Sequence, residues 1–281
     1  MEELSFIKMH GLGNDFVIID GRGTPVEIGA NDARRIADRR TGVGCDQLIV
    51  MGAPRNADAQ VFMTIRNADG GQSAACGNAT RCVAALLMNE SGTDQAIIET
   101  EAGILLGVGT PEGITVDLDE PRIKWRDIPL SDDFDTLHLP LESGAVSGPA
   151  ACSMGNPHAT FFVDDVEEID ITAIGPALEH DPIFPERANI GFAQVIAADR
   201  ARLRVWERGA GLTSACATGS CAAVVNGVRR GLLARRVTCV LDGGELIVEW
   251  RELDDHVLMT GPIAVAFSGL IAPGLLDSGA P

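Results

Sequence analysis

Basic residues are scarce in this chain. Lys and Arg together number 22 against 40 Asp and Glu, a formal net charge of −18. A surface of that sign repels phosphate backbones and anionic lipid heads, which argues against nucleic acid and against a membrane surface as partners. A small substrate is still allowed, because a local site can oppose the global sign. Long apolar runs are missing too: none approaches the roughly 18 residues of a membrane-spanning helix. The opening Met-Glu-Glu-Leu-Ser-Phe has neither a basic n-region nor an apolar h-region, so no signal peptide and a cytoplasmic setting are expected. Cysteine is neither dense nor even in number. Seven are spread over the chain, which suggests reduced thiols rather than a disulfide framework.

What is present is enough for real cores. With 281 residues, 46% of them apolar, the chain can fill two domains of ordinary size. A matched pair of stretches organises it. The first runs from Asn67-Ala-Asp-Gly through Ala75-Cys76-Gly77-Asn78 to Cys82-Val-Ala-Ala. The second runs from Glu207-Arg208-Gly-Ala-Gly through Ala215-Cys216-Ala217-Thr218 to Cys221-Ala-Ala. Each has a polar, Gly-containing lead-in, then Ala-Cys, then small polar residues, then an Ala/Val-rich run. Each reads as a loop turning into a helix with the first Cys at its N-terminus. That end exposes N–H groups and partial positive charge, which favours a thiolate and can hold a carboxylate. Two such stretches suggest two domains, each offering one cysteine to a shared cleft.

The intervening sequence fills in the plan. Strands are predicted at Phe16–Asp20, Leu48–Met51 and Val61–Arg66. Met9–Asp15, Thr41–Gln47, Ser153–His158 and Pro185–Gly191 read as polar loops. A short helix is expected over Asp32–Arg40 with Asn31 as N-cap. Cys82–Met88 is apolar on nearly every face, a helix surrounded by protein, with Ser91-Gly92 as its stop. Strands follow at 96–99, 104–108 and 114–118, then an irregular Pro-, Asp- and Ser-rich segment over 119–148 that carries the domain crossover. The second half resembles the first: strands at 159–163, 192–196 and 203–206, and a helix from Cys216 to about Arg230 with Gly231 as stop. A hairpin at 237–250 and strands at 256–260 and 265–270 complete it. Strand runs followed by a single buried helix, twice, indicate α+β. The expected domains are 1–120 plus 265–281, carrying Cys76, and 121–264, carrying Cys216.

Three readings of the cysteines compete. Cys45, Cys152 and Cys239 sit in or beside apolar runs, and Cys82 and Cys221 lie inside the helices, so all five read as small core residues. A metal or redox site fits poorly, because spacings of six (Cys76, Cys82) and five (Cys216, Cys221) turn the side chains apart on a helix and no C-x-x-C or His cluster accompanies them. The third reading is a thiol/thiolate pair. An amino acid whose α-carboxylate lay between two helix N-termini would place its Cα between the sulfurs. One thiolate would take the α-proton, the other thiol would return one to the opposite face, and both sets of N–H groups would stabilise the carbanion as an oxyanion hole does. No pyridoxal cofactor is then required.

At this point the sequence resembles the diaminopimelate epimerases, cofactor-independent enzymes of lysine and cell-wall precursor synthesis. The resemblance runs over essentially the whole chain. It rests on Met9–Phe16, Gly44–Leu48, Asn67–Gly70, Ala75–Asn78, Met154–His158, Pro185–Gly191, Glu207–Gly211 and Ala215-Cys216. It implies two similar α+β domains, each a mixed sheet wrapped around a central helix with the active site in the cleft between them, and a homodimer. It implies Cys76 and Cys216 as acid and base, with Gly77, Asn78, Ala217 and Thr218 on the α-carboxylate. Asn14, Gln47, Asn67, Asn156, Asn189, Glu207 and Arg208 would hold the amino groups and the distal carboxylate. His158 and Glu207 are candidates to assist proton transfer. No metal and no cofactor is implied. Departures from the family pattern are Ala79 and Ala217 where Gly is usual, Leu212 for Glu, and Phe267 for Tyr, in a chain with no tyrosine at all.

Blander readings stand beside these. The four asparagines could be turn residues, Glu207 and Arg208 a solvated pair, and His158 a strand-entry residue. Rival functions are a proline-type racemase with the same two-thiol logic, an amino-acid-binding protein, and a thiol redox protein.

Overall fold

A computed structural model describes residues 3–74 and 76–276. The chain divides into two units, residues 1–116 with 262–281, and residues 117–261.

Phe16-Val-Ile-Ile is apolar without alternation because both of its faces are covered. Phe16 and Ile18 point into a core around a central helix, while Val17 and Ile19 point into a second core with Ile28, Ala33 and Ile36. The unit built on this strand runs β1 (Leu4–Gly11), β2 (Asn14–Asp20), helix α1 (Ala30–Ala37), β3 (Gln47–Gly52), β4 (Val61–Asn67) and β5 (Gln72–Ser73). Helix α2 (Gly77–Ser91) follows, then β6 (Gln95–Thr100), β7 (Gly103–Thr110) and β8 (Gly113–Asp117). β1 pairs antiparallel with β2, β2 parallel with β3, β3 antiparallel with β4, β4 parallel with β6, and β6, β7 and β8 pair as an antiparallel meander. Cys82, Val83, Ala84 and Leu87 of α2 are buried on several sides of the helix, as its unbroken apolar sequence requires. Gly107 of β7 is needed for this packing, since a Cβ there would lie 2.6 Å from that of Ala84. α2 ends at Gly92, whose φ of 68° and N–H bond to Met88 O form a left-handed cap.

The second unit repeats the order. A short hairpin, β9 (Glu142–Ser143) and β10 (Val146–Ser147), interrupts the irregular connecting segment. Then come β11 (Ala150–Ser153), β12 (Pro157–Val163), α3 (Ile171–Glu179), β13 (Asn189–Ala197), β14 (Arg200–Glu207), β15 (Gly211–Thr213), α4 (Ala217–Arg229), β16 (Arg236–Leu241), β17 (Gly244–Trp250) and β18 (Val257–Gly261). Pairing follows the same rule. β11 and β12 are antiparallel, β12 and β13 parallel, β13 and β14 antiparallel, β14 and β16 parallel, and β16, β17 and β18 antiparallel. Phe161 and Phe192 stack at 5.6 Å across the parallel pair. The last strand, β19 (Ala264–Ile271), returns to the first unit and pairs antiparallel with β1. The fold is sheet-dominated α+β with few helices.

Several elements differ from the sequence expectations. Met9–Gly11 is not loop but the end of β1, and only Leu12 and Gly13, both with positive φ, make the turn into β2. Asn31 is not the cap of α1. Gly29 is, and Asn31 Oδ1 accepts from Arg34 Nη1 inside the helix. That helix also ends at Ala37, short of Arg40. Pro157-His158 and Asn189-Ile190-Gly191 belong to strands β12 and β13 rather than to loops. The second unit holds a helix that the sequence reading does not expect, α3, beside its buried α4. α3 was hidden by Gly175-Pro176 in its middle and is started by Asp170, which accepts the Ala173 N–H at 3.2 Å.

Candidate active site

In the first unit Cys76 is the N-cap of α2, half-buried, in extended conformation (φ −150°, ψ 109°) and without a side-chain cap. Its carbonyl accepts both the N–H and the hydroxyl of Thr80, each at 2.9 Å. Ala75, which precedes it in the motif, lies outside the described residues. Asn14, Gln47 and Asn67 come from the ends of β2, β3 and β4. Asp46 Oδ2 accepts from Asn14 Nδ2 at 3.1 Å. A carboxylate can only accept, so Asn14 Oδ1 is turned to receive Asn78 Nδ2, also at 3.1 Å. Asp46 is gripped by Arg39, and Arg39 and Lys8 both grip Asp15, each at 2.7 Å. Burial works to raise Asp15, but these two cations and the Asp46 N–H hold its carboxyl well below the usual carboxylate range. Gln47 Nε2 donates to Asn67 Oδ1 at 2.9 Å, leaving Gln47 Oε1 as a buried acceptor with no hydrogen-bond partner among the described residues.

In the second unit Cys216 is the N-cap of α4 (φ −106°, ψ 109°), and its carbonyl accepts the N–H and hydroxyl of Ser220, each at 3.0 Å. Unlike Cys76 it is buried, 4% exposed. Burial, then the charge and hydrogen bond of Glu207, hold the thiol well above its ordinary value, while the Gly219 N–H and the Thr218 hydroxyl pull the other way. A Cβ at Gly219 would sit 2.9 Å from Val205 Cγ2 and 3.1 Å from the sulfur, so this residue must stay small. Glu207 also accepts the Thr213 hydroxyl. His158 is fully buried, and burial followed by the charge of Arg208 pushes it down to about 3. It is therefore neutral at neutral pH, with its Nε2 2.9 Å from Asn156 Oδ1. Asn156 Nδ2 in turn reaches Thr218 Oγ1 at 3.5 Å, and Thr218 Oγ1 lies 3.8 Å from Cys216 Sγ. Asn189 spans two backbones: its Nδ2 donates to Pro157 O at 3.1 Å and its Oδ1 accepts the Arg208 N–H at 3.0 Å.

The other five cysteines are core residues. None of the seven is in a disulfide. Burial pushes Cys45 up to about 11 and Cys82, Cys152 and Cys239 up to about 12, and Cys221 has no exposed surface. The one grouping of three potential metal ligands among the described residues, Asp117, Asp119 and His256, contains no cysteine. Its Asp117 is already engaged by His256 Nδ1 at 2.8 Å and by Arg251.

Thr80, Ser220, Asp46 and Glu179 were not singled out from the sequence. The first two had a signal: each lies four residues after its cysteine, where a hydroxyl reaches back to the i−4 carbonyl. The last two act across the fold and left no local trace. Among the departures, Ala79 and Ala217 are buried, Leu212 packs against the core of its unit, and Phe267 meets Phe6 edge-on at 5.9 Å.

Two cysteine-headed helices in a duplicated α+β frame place the chain in a class of folds already known from solved structures. One is a hydroxyproline epimerase from Agrobacterium vitis, with TM-score 0.71, 14% identity, and 99% of this chain and 93% of that one covered. Another is a PhzF-family phenazine biosynthesis protein from Bacillus anthracis, with TM-score 0.69, 16% identity, and 97% and 100% covered. Identities so low establish the fold alone. Sequence carries the matter further. The diaminopimelate epimerase family model matches residues 6–124 and 150–265. The diaminopimelate epimerase of Acidiphilium cryptum is 56% identical over 96% of this chain and 97% of its own length, and that of Rhodospirillum centenum is 50% identical over 98% and 95%. The chain belongs to the diaminopimelate epimerase family, a family of isomerases.

Proposed function

We propose that this protein interconverts LL- and meso-2,6-diaminopimelate by inverting one α-carbon, with Cys76 and Cys216 as the two proton-transfer groups, in the supply of lysine and peptidoglycan precursors. The observation that carries the reading is the cysteine at the first turn of each helix, α2 and α4, in a chain of this family. One thiolate removes the α-proton. The electron pair left on carbon spreads into the α-carboxylate, whose growing charge meets N–H groups of Gly77, Asn78, Ala217 and Thr218. The other thiol returns a proton to the opposite face. Once the product has left, loss of the abstracted proton to water from the first sulfur and uptake of one by the second restore both sulfurs for the next turnover. These transfers call for neither a metal nor an organic cofactor.

The remaining site residues take complementary roles. Gln47 Oε1, an acceptor with no donor among the described residues, suits an ammonium. Arg208 suits the distal carboxylate, with one of its donors committed to Glu186 O at 2.9 Å. Asn14, Asn67, Asn156 and Asn189 fix the orientations of these groups through the bonds described. His158 serves as a neutral donor that orients Asn156, and Glu207 as a charge that keeps Cys216 protonated until it is needed. A homodimer in the cytoplasm goes with this proposal. Val265, Phe267 and Leu270 of β19, 50–60% exposed, support self-association, and among the described residues no helix is long and apolar enough to cross a membrane.

The test is α-proton exchange in D2O. Incubation with LL-diaminopimelate is expected to give deuterium incorporation and the meso isomer. Exchange with proline or another short amino acid and none with diaminopimelate would replace the substrate. Turnover undiminished in Cys76→Ala would remove the mechanism.

A further inference from the structure

We propose that Glu179 is a positioning residue for this reaction: it fixes the corner of the second unit that presents Glu207 and Arg208. The inference rests on the two-thiol reading above. Glu179 is the last residue of α3, and only 4% of its side chain is exposed. Its carboxylate accepts three bonds. Oε2 takes the Trp206 indole N–H at 2.8 Å, and Oε1 takes the Gly209 N–H at 3.0 Å and Arg187 Nη1 at 3.3 Å. His180 Nε2 stands 4.0 Å away.

Two of those donors flank the two residues of interest. Trp206 precedes Glu207, and Gly209, with φ 76°, follows Arg208. The carboxylate therefore pins both ends of a four-residue corner. Trp206 is further located by Gly175, where a Cβ would lie 2.5 Å from the indole. From the corner, Glu207 reaches the Cys216 thiol, and the Arg208 N–H reaches Asn189. A buried carboxylate is a poor choice for stability alone, since apolar residues of similar volume often do as well. An acceptor with several lone pairs is the right choice for holding three donors at once, and glutamine could not replace it, because its –NH2 would face a donor.

The experiment compares wild type with Glu179→Gln in the full-length protein. Two quantities are read: KM and kcat for diaminopimelate, and the ionisation of Cys216 followed by thiolate ultraviolet absorbance against pH, relative to a Cys216→Ala control. If the corner shifts, kcat/KM falls by about 10- to 100-fold with KM raised, and Cys216 ionises at lower pH because the Glu207 charge has withdrawn. A purely structural role would lower the melting temperature with KM and the Cys216 titration unmoved, and that result overturns the proposal. Should Glu179→Gln not fold, Trp206→Phe removes a single donor. A fall in kcat/KM of about two- to fivefold at unchanged melting temperature supports the proposal, and unchanged kinetics overturns it. Wild-type protein inactive on diaminopimelate would instead defeat the substrate reading, and the Cys216 titration, which uses no substrate, would still decide the role of Glu179.

Discussion

Cys76 and Cys216 occupy the same place in two copies of one strand-and-helix plan, yet their surroundings differ. Both carbonyls are held by a hydroxyl four residues on, Thr80 in one case and Ser220 in the other. Around Cys76 the supporting groups are amides, oriented by an ion network whose outer members, Arg39 and Asp46, are half exposed. Around Cys216 the support is a half-buried carboxylate that bonds the thiol, a fully buried neutral histidine, and the buried Glu179 that holds Trp206. The frame alone thus does not set the chemistry. Duplicated geometry brings a sulfur to each helix start, and at Cys216 burial and Glu207 then hold the proton on the thiol. In the two-thiol mechanism proposed above, one sulfur begins each turnover without a proton and the other with one, and the roles exchange when the reaction runs in reverse.

The comparison breaks most directly at the sulfurs. Cys76→Ala and Cys216→Ala are each expected to lower turnover by about 10²- to 10⁴-fold while substrate binding stays measurable by calorimetry. Equal loss in both would show that the unequal surroundings still serve one cycle.

A second test uses pH. The unfolded chain accepts a proton on His158 near its ordinary 6.5, whereas the folded protein refuses it until about 3. The stability from this group is complete above that ordinary value and is lost as pH falls toward 3, by about 1.4 kcal/mol for each unit. Denaturant melts of His158→Asn should lack that slope. In the first unit Asp15, depressed by Arg39 and Lys8, gives stability that is complete above about pH 4 and lost below it. Asp15→Asn should therefore flatten only the more acidic part of the curve.

Glycines sharpen the contrast at smaller energies. Gly107→Ala and Gly219→Ala should each destabilise by about 1–3 kcal/mol through overpacking. Only Gly219→Ala should also depress kcat, because its methyl would press on Cys216 Sγ while that of residue 107 would press on Ala84. The smallest effects belong to the shared hydroxyls. Thr80→Val and Ser220→Ala should each cost about 0.5–1.5 kcal/mol in thermal or chemical unfolding, and the two costs should be alike.

How much of this could be read from the chain depended on the range of the interaction. The strand Phe16–Asp20 and helix α2 were legible because burial on all sides leaves an unbroken apolar run, and the paired cysteine stretches were legible because the duplication is written twice. Met9–Gly11 was lost because a strand that ends in Gly at a tight turn looks like loop. The helix α3 was lost because Gly175-Pro176 looks like a break, yet the helix accommodates it. Glu179 could not be found at all: its partners Trp206 and Gly209 lie 27 and 30 residues away, and no spacing rule links a helix end to a strand corner. Asp46 is the same case, since its bond to Asn14 spans 32 residues.

The return of β19 to β1 also bears on how the molecule is made. Leu4 finds its partner in Ile271, nearly the whole length of the polypeptide later. On a ribosome the second unit, contiguous from Asp117 to Gly261, has all its strands available before the first unit has its own edge covered. A chain that stops before Ala264 would leave β1 without β19, an open edge that can template aggregation.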